Sequence, residues 1–281
     1  MNIYYFDGTQ SKFYKAINFG DELNPWLWPQ VFPGILEARE EVDFIGIGTL
    51  LNDRLPKTSQ KVIFGSGVGY GNTPQPDHTW EIYFVRGLLS AKSLGIDFSF
   101  GITDPGILVR RFFIPSDHKR YKWSYMPHYK EDIINGNAWK EICADLDIHY
   151  ISPTEPLQKV LTEISETEVL LTEAMHGAIT ADALRTPWVA IKTHSRILEF
   201  KWNDWLSTLE IPYHPIKIWR KASIIEKSSL FKYLDYHAIR AQFALTLKTI
   251  KPNLSNFSKT SELEEKIMYQ VDKFKDHVLK A

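Results

Sequence analysis

The chain reads as an α/β protein of two Rossmann-like domains facing a cleft, followed by C-terminal helices. Three observations predict this. Short apolar runs alternate with helical stretches, in the strand–helix–strand order that builds parallel sheets with right-handed crossovers. The 281 residues, 44% hydrophobic and 14% aromatic, suffice to bury a sizeable core and to make two domains. The polar, proline-containing stretch Pro115-Ser116-Asp117 separates the earlier units from the later ones. The expected divisions are 1–116, 117–216 and a helical segment 217–281.

The elements follow in order. Ile3-Tyr-Tyr-Phe6 is a strand, and Asn18-Phe-Gly-Asp-Glu-Leu-Asn-Pro-Trp-Leu27 is a polar loop leading into a helix. Val42–Gly48 is an apolar run closed by glycines, and Thr49–Arg54 is a loop or short helix. Lys61-Val-Ile-Phe64 is a strand that runs into Gly65-Ser-Gly-Val-Gly-Tyr-Gly71. Trp80–Arg86 is a strand and Gly87–Leu94 its helix; Thr103–Leu108 opens the next unit, and Tyr121–His128 starts a fresh strand. Ala138–Leu146 has a helical pattern, with Cys143 as a small buried hydrophobe. In the C-terminal segment, Ser228-Ser229 starts a helix over Leu230–Thr249. Pro252-Asn-Leu-Ser-Asn256 is a linker, and Glu262–Leu279 is an amphipathic helix.

The richest unit is Glu168-Val-Leu-Leu-Thr172, a buried strand, followed by Glu173-Ala-Met-His-Gly-Ala-Ile-Thr-Ala-Asp-Ala-Leu. Ala174, Ile179, Ala181 and Leu184 fall on helical spacing, and Thr186-Pro187 ends the helix before the strand Trp188–Ile191. Glu173 and His176 therefore sit where a strand ends and a helix begins. Helix N-termini at the carboxyl ends of parallel strands offer free N–H groups and a positive dipole to anions. A histidine there can meet a phosphate or carboxylate and exchange a proton with a substrate.

The Asn18-Phe-Gly-Asp21 loop and the Met175-His-Gly-Ala-Ile179 segment together resemble the polysaccharide pyruvyl transferase family. Further pieces match in order: Phe44-Ile-Gly-Ile-Gly48, Phe64-Gly-Ser-Gly67, Val85-Arg-Gly-Leu-Leu-Ser90 with Gly95, Asp104-Pro-Gly-Ile-Leu108, and Met126-Pro-His128. The resemblance covers residues 1–210. It implies the glycosyltransferase-B-like arrangement and transfer of pyruvate, as a ketal, from phosphoenolpyruvate to a sugar of a polysaccharide or lipid-linked oligosaccharide, with release of phosphate. The co-substrate is phosphoenolpyruvate, and no cofactor is implied. Two positions depart from the family. Ala174 stands where an arginine is common, two residues before the histidine, and Gly87 stands where many members have Asp after the arginine.

The implied reaction needs a general acid to protonate C3 of the enol, a base for the attacking sugar hydroxyl, and cations for the donor. His176 is the expected acid, with Glu173 as its neighbour or as the base. Asp21 is the expected base toward the acceptor, or else a helix N-cap. Arg86, His128, Arg196 and Gly177 are the expected donor contacts, with Lys192 and Lys201 as alternatives to Arg196. Asn18, Gly20 and Asn24 are the expected acceptor contacts. Arg110 and Arg111 form a basic pair on the cleft side, and Trp26, Trp28 and Tyr70 are either core residues or platforms for sugar rings.

Two other functions compete with this one. Glu173 and Ala-Leu-Arg-Thr-Pro-Trp-Val189 resemble the sugar-nucleotide site of glycosyltransferases in the same fold. Retaining members, however, place two glutamates eight residues apart, and here that position is Ala181, with Asp182 one residue late. The missing arginine also fits a non-catalytic partner in a polysaccharide assembly complex. Gly65–Gly71 does not have the dinucleotide spacing, and the nine histidines include no His-x-x-x-His pair, so no metal is expected.

A net charge of −1 gives no reason to expect nucleic acid. No apolar run reaches ~18 residues, and the start lacks a signal-peptide pattern, so a cytoplasmic protein is expected. From Lys217 onward thirteen Lys/Arg face seven Asp/Glu, a net of +6 against −7 for residues 1–216. This is either ordinary helix surface or a weak attraction to the inner membrane face, where a lipid-linked acceptor would reside.

Overall fold

The computed structural model describes residues 1–11, 15–38, 41–195, 197–219 and 229–280. In the first half, β1 (Asn2–Tyr4), β2 (Val42–Ile45), β3 (Gln60–Phe64) and β4 (Trp80–Phe84) form a sheet in that spatial order, parallel throughout. In the second half, β5 (Tyr121–Met126), β6 (His149–Tyr150), β7 (Thr167–Thr172), β8 (Trp188–Lys192) and β9 (Ile216–Lys217) form a second parallel sheet, ordered β6-β5-β7-β8-β9. The chain passes from one sheet to the other between Phe84 and Tyr121, the interval containing Pro115–Asp117.

Helices link the strands: α1 (Phe19–Val31), α2 (Leu88–Leu94), a 3-10 turn Pro105–Leu108 running into α3 (Val109–Phe112), α4 (Tyr129–Asp145), α5 (Leu157–Ser165), α6 (Met175–Ala183) and α7 (Glu199–Leu209). The two longest, α8 (Ser229–Thr249) and α9 (Phe257–Lys280), close the chain. Compared with the sequence reading, α4 starts earlier than Ala138, and α5, α7 and the two-residue strands β6 and β9 are additions. The segment 49–54 is turn and loop, not helix.

Side-chain alternation sorts the core. Phe44, Val62 and Phe64 face one side of the first sheet, while Ile45 and Ile63 face the other, as period two requires. The second sheet divides likewise, with Met126, Leu170, Trp188 and Ala190 on one face and Tyr125, Leu171, Val189 and Ile191 on the other. The inner faces meet in one continuous core filled by α1, α5, α6 and residues 107–109, so the halves are joined by apolar packing rather than merely facing each other.

The C-terminal helices have no core of their own, although the sequence set 217–281 apart. On α8, Ile239 and Phe243 pack with Tyr125, Trp139 and Ile142 of the second half. On α9, Leu263, Ile267, Val271 and Phe274 join the shared core, and Phe274 packs edge-on against Phe32 and Tyr83 of the first half. Among the described residues, no helix is long and apolar enough to cross a membrane.

Helix α1 holds Pro25 and Pro29 within its length. Pro25 has no N–H to give the Asp21 carbonyl. The Asn24 side chain takes that bond instead, at 3.1 Å.

Candidate active site

The second sheet begins with an interior strand, β5. The connection through α4 runs to β6 on one side of β5, and the later strands build outward on the other. The crevice at the carboxyl ends of β5 and β7 is therefore a topological switch point, where open α/β sheets hold their ligands. His128 follows β5, and Glu173 and His176 follow β7.

Glu173 is buried and ties three strand ends together. Its Oε1 accepts a hydrogen bond from the Thr193 N–H at 2.7 Å, after β8, and its Oε2 accepts one from the His128 N–H at 3.4 Å. Burial pushes its carboxyl up to about 7, against the lowering effect of the Thr193 hydrogen bonds. His128 caps α4, its Nδ1 accepting from the Lys130 N–H at 3.4 Å. Burial, with Lys201, His194 and Lys130 nearby, lowers its pKa to about 3, so the ring is neutral at physiological pH. With Nδ1 accepting, the ring proton belongs on Nε2.

His176 lies in the first turn of α6 and reaches into the first half. A Cβ on Gly20 would stand 2.2 Å from its Nδ1, so only glycine lets the imidazole lie against α1. Its Nε2 lies 3.5 Å from Oδ2 of Asp104, whose side chain is fully buried. Next to Gly20, Asp21 accepts a 2.6 Å hydrogen bond from the Asn18 side-chain amide. Desolvation lifts the Asp21 carboxyl from 3.8 to about 6, opposed by Asn18, His176 and Lys201. The N-cap of α1 is Asn18, not Asp21, and the α1 N-terminus is pinned to the second half by Phe19 N–H donating to the Pro153 carbonyl at 2.9 Å.

A second bridge runs from α7. Lys201 donates to the Tyr70 hydroxyl at 2.9 Å and lies 5.0 Å from the centre of its ring. Its charge acts on both Asp21 and His128, so it stands between the halves beside the histidine site. Tyr70 is one of the more exposed aromatics, whereas Trp28 is fully buried in the shared core and Trp26 packs against it.

The structure thus brings together His176, Gly20, Asp21 and Asn18 in one place, with Glu173 and His128 alongside. It uses other expected residues differently. Arg86 is completely buried. Its Nε pairs with Asp204 of α7 at 2.9 Å, and its terminal nitrogens donate to Gly48 O, Thr49 Oγ1 and Val68 O. A guanidinium so engaged joins the halves and is not presented to a donor. Gly67 exists for this packing, because a Cβ there would stand 2.4 Å from the guanidinium carbon. A Cβ on Gly87 would meet the Asp204 carbonyl at 2.1 Å, so α7 packs directly on this glycine and leaves no room for a side chain.

Asn24 is likewise committed to structure. Its amide donates to the Ile47 carbonyl and its oxygen accepts from the Ile47 N–H and Trp28 Nε1. Gly177 lets α6 pack closely, since a Cβ would lie 2.7 Å from the Met126 sulfur. Arg110 and Arg111 pair with Glu264 of α9 rather than lining the cleft. Lys192 pairs with Glu199. Arg196 lies outside the described residues.

Two buried carboxylates, Asp104 beside His176 and Asp204 beside Arg86, carried no sequence signal for their place. Asp104 stood in a quoted motif, but Asp-Pro-Gly reads as a turn, and nothing in its spacing reveals a histidine 72 positions later. Asp204 gave no signal at all, sitting mid-helix among tryptophans.

Comparison with known proteins places the chain in a family. The profile described as "Polysaccharide pyruvyl transferase" matches residues 4–195. The chain is 38% identical over 231 residues to the succinoglycan biosynthesis protein ExoV of Rhizobium meliloti (strain 1021), covering 80% of this chain and 72% of that protein. No solved structure matches the chain. The match spans both sheets up to the loop after β8 and includes every residue gathered around His176, so the chain belongs to the polysaccharide pyruvyl transferase family and is a transferase.

Proposed function

We propose that this protein transfers pyruvate from phosphoenolpyruvate to a saccharide of an exopolysaccharide under assembly, forming a cyclic ketal and releasing phosphate. The observation that carries the reading is the convergence of His176, from the second half, on Gly20 and Asp21 of the first. A proton donor and a carboxylate base from opposite halves then share one space, as an addition across the enol requires. Two parallel sheets meeting at their carboxyl-end loops are consistent with a glycosyltransferase-B-like arrangement.

In this reading His176 gives a proton to C3 of the enol. The C2=C3 electron pair forms the new C–H bond and leaves C2 cationic. A sugar hydroxyl adds to C2 while Asp21 takes its proton, a task suited to a carboxyl lifted to about 6. A second hydroxyl then displaces phosphate from C2 and closes the ketal, its proton leaving with the phosphate. Lys201, the Nε2–H of His128 and the N-terminal amides of α6 hold the donor's negative charge. Asn18 and Gly20 shape the acceptor side. Glu173, with both oxygens on backbone N–H groups, fixes the loops that carry His128 and Thr193.

A lipid-linked saccharide is the acceptor class we favour. The basic residues of α8 and α9 offer an anionic surface electrostatic attraction, while Ile239, Phe243 and the apolar side of α9 are taken up by the cores.

The test is phosphate release from phosphoenolpyruvate with an oligosaccharide acceptor. His176→Ala should lose turnover ~10²–10⁴-fold with donor affinity largely kept. Near-normal turnover in a folded variant removes His176 from the proton transfer. Thermal stabilisation by nucleotide sugars but not by phosphoenolpyruvate would replace the reaction itself.

A further inference from the structure

We infer that Asp104 is the positioning residue of His176: it holds the imidazole as its Nε2–H tautomer, so that Nδ1, beside Gly20 and Asp21, is the nitrogen that gains and loses the proton. The inference rests on the reading of His176 as the proton donor.

The two oxygens of Asp104 have different tasks. Oδ1 accepts from the Gly106 N–H at 2.9 Å and caps the 3-10 turn that opens with Pro105. The turn itself is locked: a Cβ on Gly65 would stand 2.6 Å from the Pro105 ring, and one on Gly106 would stand 3.0 Å from Ile179 of α6. Oδ2 is left pointing at His176 Nε2, 3.5 Å away. Both atoms are buried, and neither has another hydrogen-bond partner among the described residues. Two buried polar atoms without a hydrogen bond that face each other call for a functional account. A carboxylate can only accept, so the proton between them sits on Nε2.

The consequence is chemical. Transfer of the Nδ1 proton to C3 leaves His176 neutral, its Nε2–H still donating to Asp104, and the imidazolium that precedes transfer is stabilised by the same carboxylate. Catalytic hydrogen bonds tighten in the substrate complex, and a 3.5 Å separation is within that range. Asp–His pairs act this way in hydrolases, where removing the carboxylate's charge fixes the wrong tautomer.

The competing account is that Asp104 is only a cap. Asp104→Asn separates the two, because asparagine caps as well as aspartate. Its amide would point at Nε2 as a donor and force the proton onto Nδ1. For the wild type at pH 8.5, ¹⁵N–¹H spectra of the histidine rings, with His176 assigned by its absence from His176→Gln, should show Nε2–H. Asp104→Asn should show Nδ1–H, lose turnover ~10²–10⁴-fold, and keep its melting temperature and its KM for phosphoenolpyruvate. A wild-type Nδ1–H tautomer, or near-normal turnover in Asp104→Asn, overturns the inference. If Asp104→Asn does not fold, Asp104→Ser keeps a capping oxygen without Oδ2 and should lose the wild-type tautomer preference. Should no protein release phosphate, the proposed reaction fails while the tautomer result still decides the role of Asp104.

Discussion

The Arg86–Asp204 pair offers the sharpest quantitative test, because sequence placed Arg86 on the donor and the structure places it in a clamp. Both side chains are fully buried. Asp204 accepts from Arg86 Nε at 2.9 Å, from the Ser90 N–H at 2.8 Å and from the Ser90 hydroxyl at 2.5 Å. Asp204→Ala leaves a guanidinium without its counter-charge and two Ser90 donors without an acceptor. Stranding one member of a buried pair costs about 3–5 kcal/mol, a large part of a typical total of about 5–15 kcal/mol. Arg86→Met strands the carboxylate and should cost about as much. The double variant removes both charges, so its loss should be close to either single loss, with a coupling energy of about 3 kcal/mol. Urea unfolding followed by tryptophan fluorescence reports directly, since Trp202 and Trp205 flank Asp204 on α7. Additive single losses, or a loss under about 1 kcal/mol for Asp204→Ala, would refute the clamp. A donor-binding Arg86 instead predicts weaker phosphoenolpyruvate binding in Arg86→Lys at unchanged stability.

Three further outcomes follow from the same geometry. Glu173, raised from 4.5 to about 7, binds its proton more tightly folded than unfolded, so its contribution to stability falls as pH rises through that window. Glu173→Gln should therefore gain about 3 kcal/mol relative to wild type between pH 4.5 and 8; parallel stability curves would contradict the buried titration. Gly20→Ala favours the helix intrinsically but drives a Cβ into His176, so turnover should drop ~10²-fold with little loss of melting temperature. Undiminished phosphate release would show that the close approach is not needed. Lys201→Ala should weaken phosphoenolpyruvate binding by about 2–3 kcal/mol in a calorimetric titration, and unchanged affinity would take Lys201 out of the donor site.

The class of the fold and the places of most strands are legible in the chain, although the start of α4 and the whole of α5 and α7 are not. Apolar runs such as Val42–Gly48 and Glu168–Thr172, and the break at Thr186-Pro187, are local signals, and each marks a strand or a helix end in the fold. The sequence also placed His176 at a strand–helix junction, because that depends only on neighbours in the chain. Tertiary structure alone decided which polar residues meet. Arg86 and Asp204 are 118 positions apart and His176 and Asp104 are 72 apart, and no periodicity encodes a contact at such separations. The same holds for Asn24 and Gly177, whose types suited a ligand equally well but whose partners proved to be backbone and neighbouring side chains. The fate of the basic C-terminal helices was also beyond local reading. An amphipathic pattern shows that α9 must bury one face, but whether against a membrane or against Phe32 and Tyr83 depends on which apolar surface the folded sheets leave uncovered.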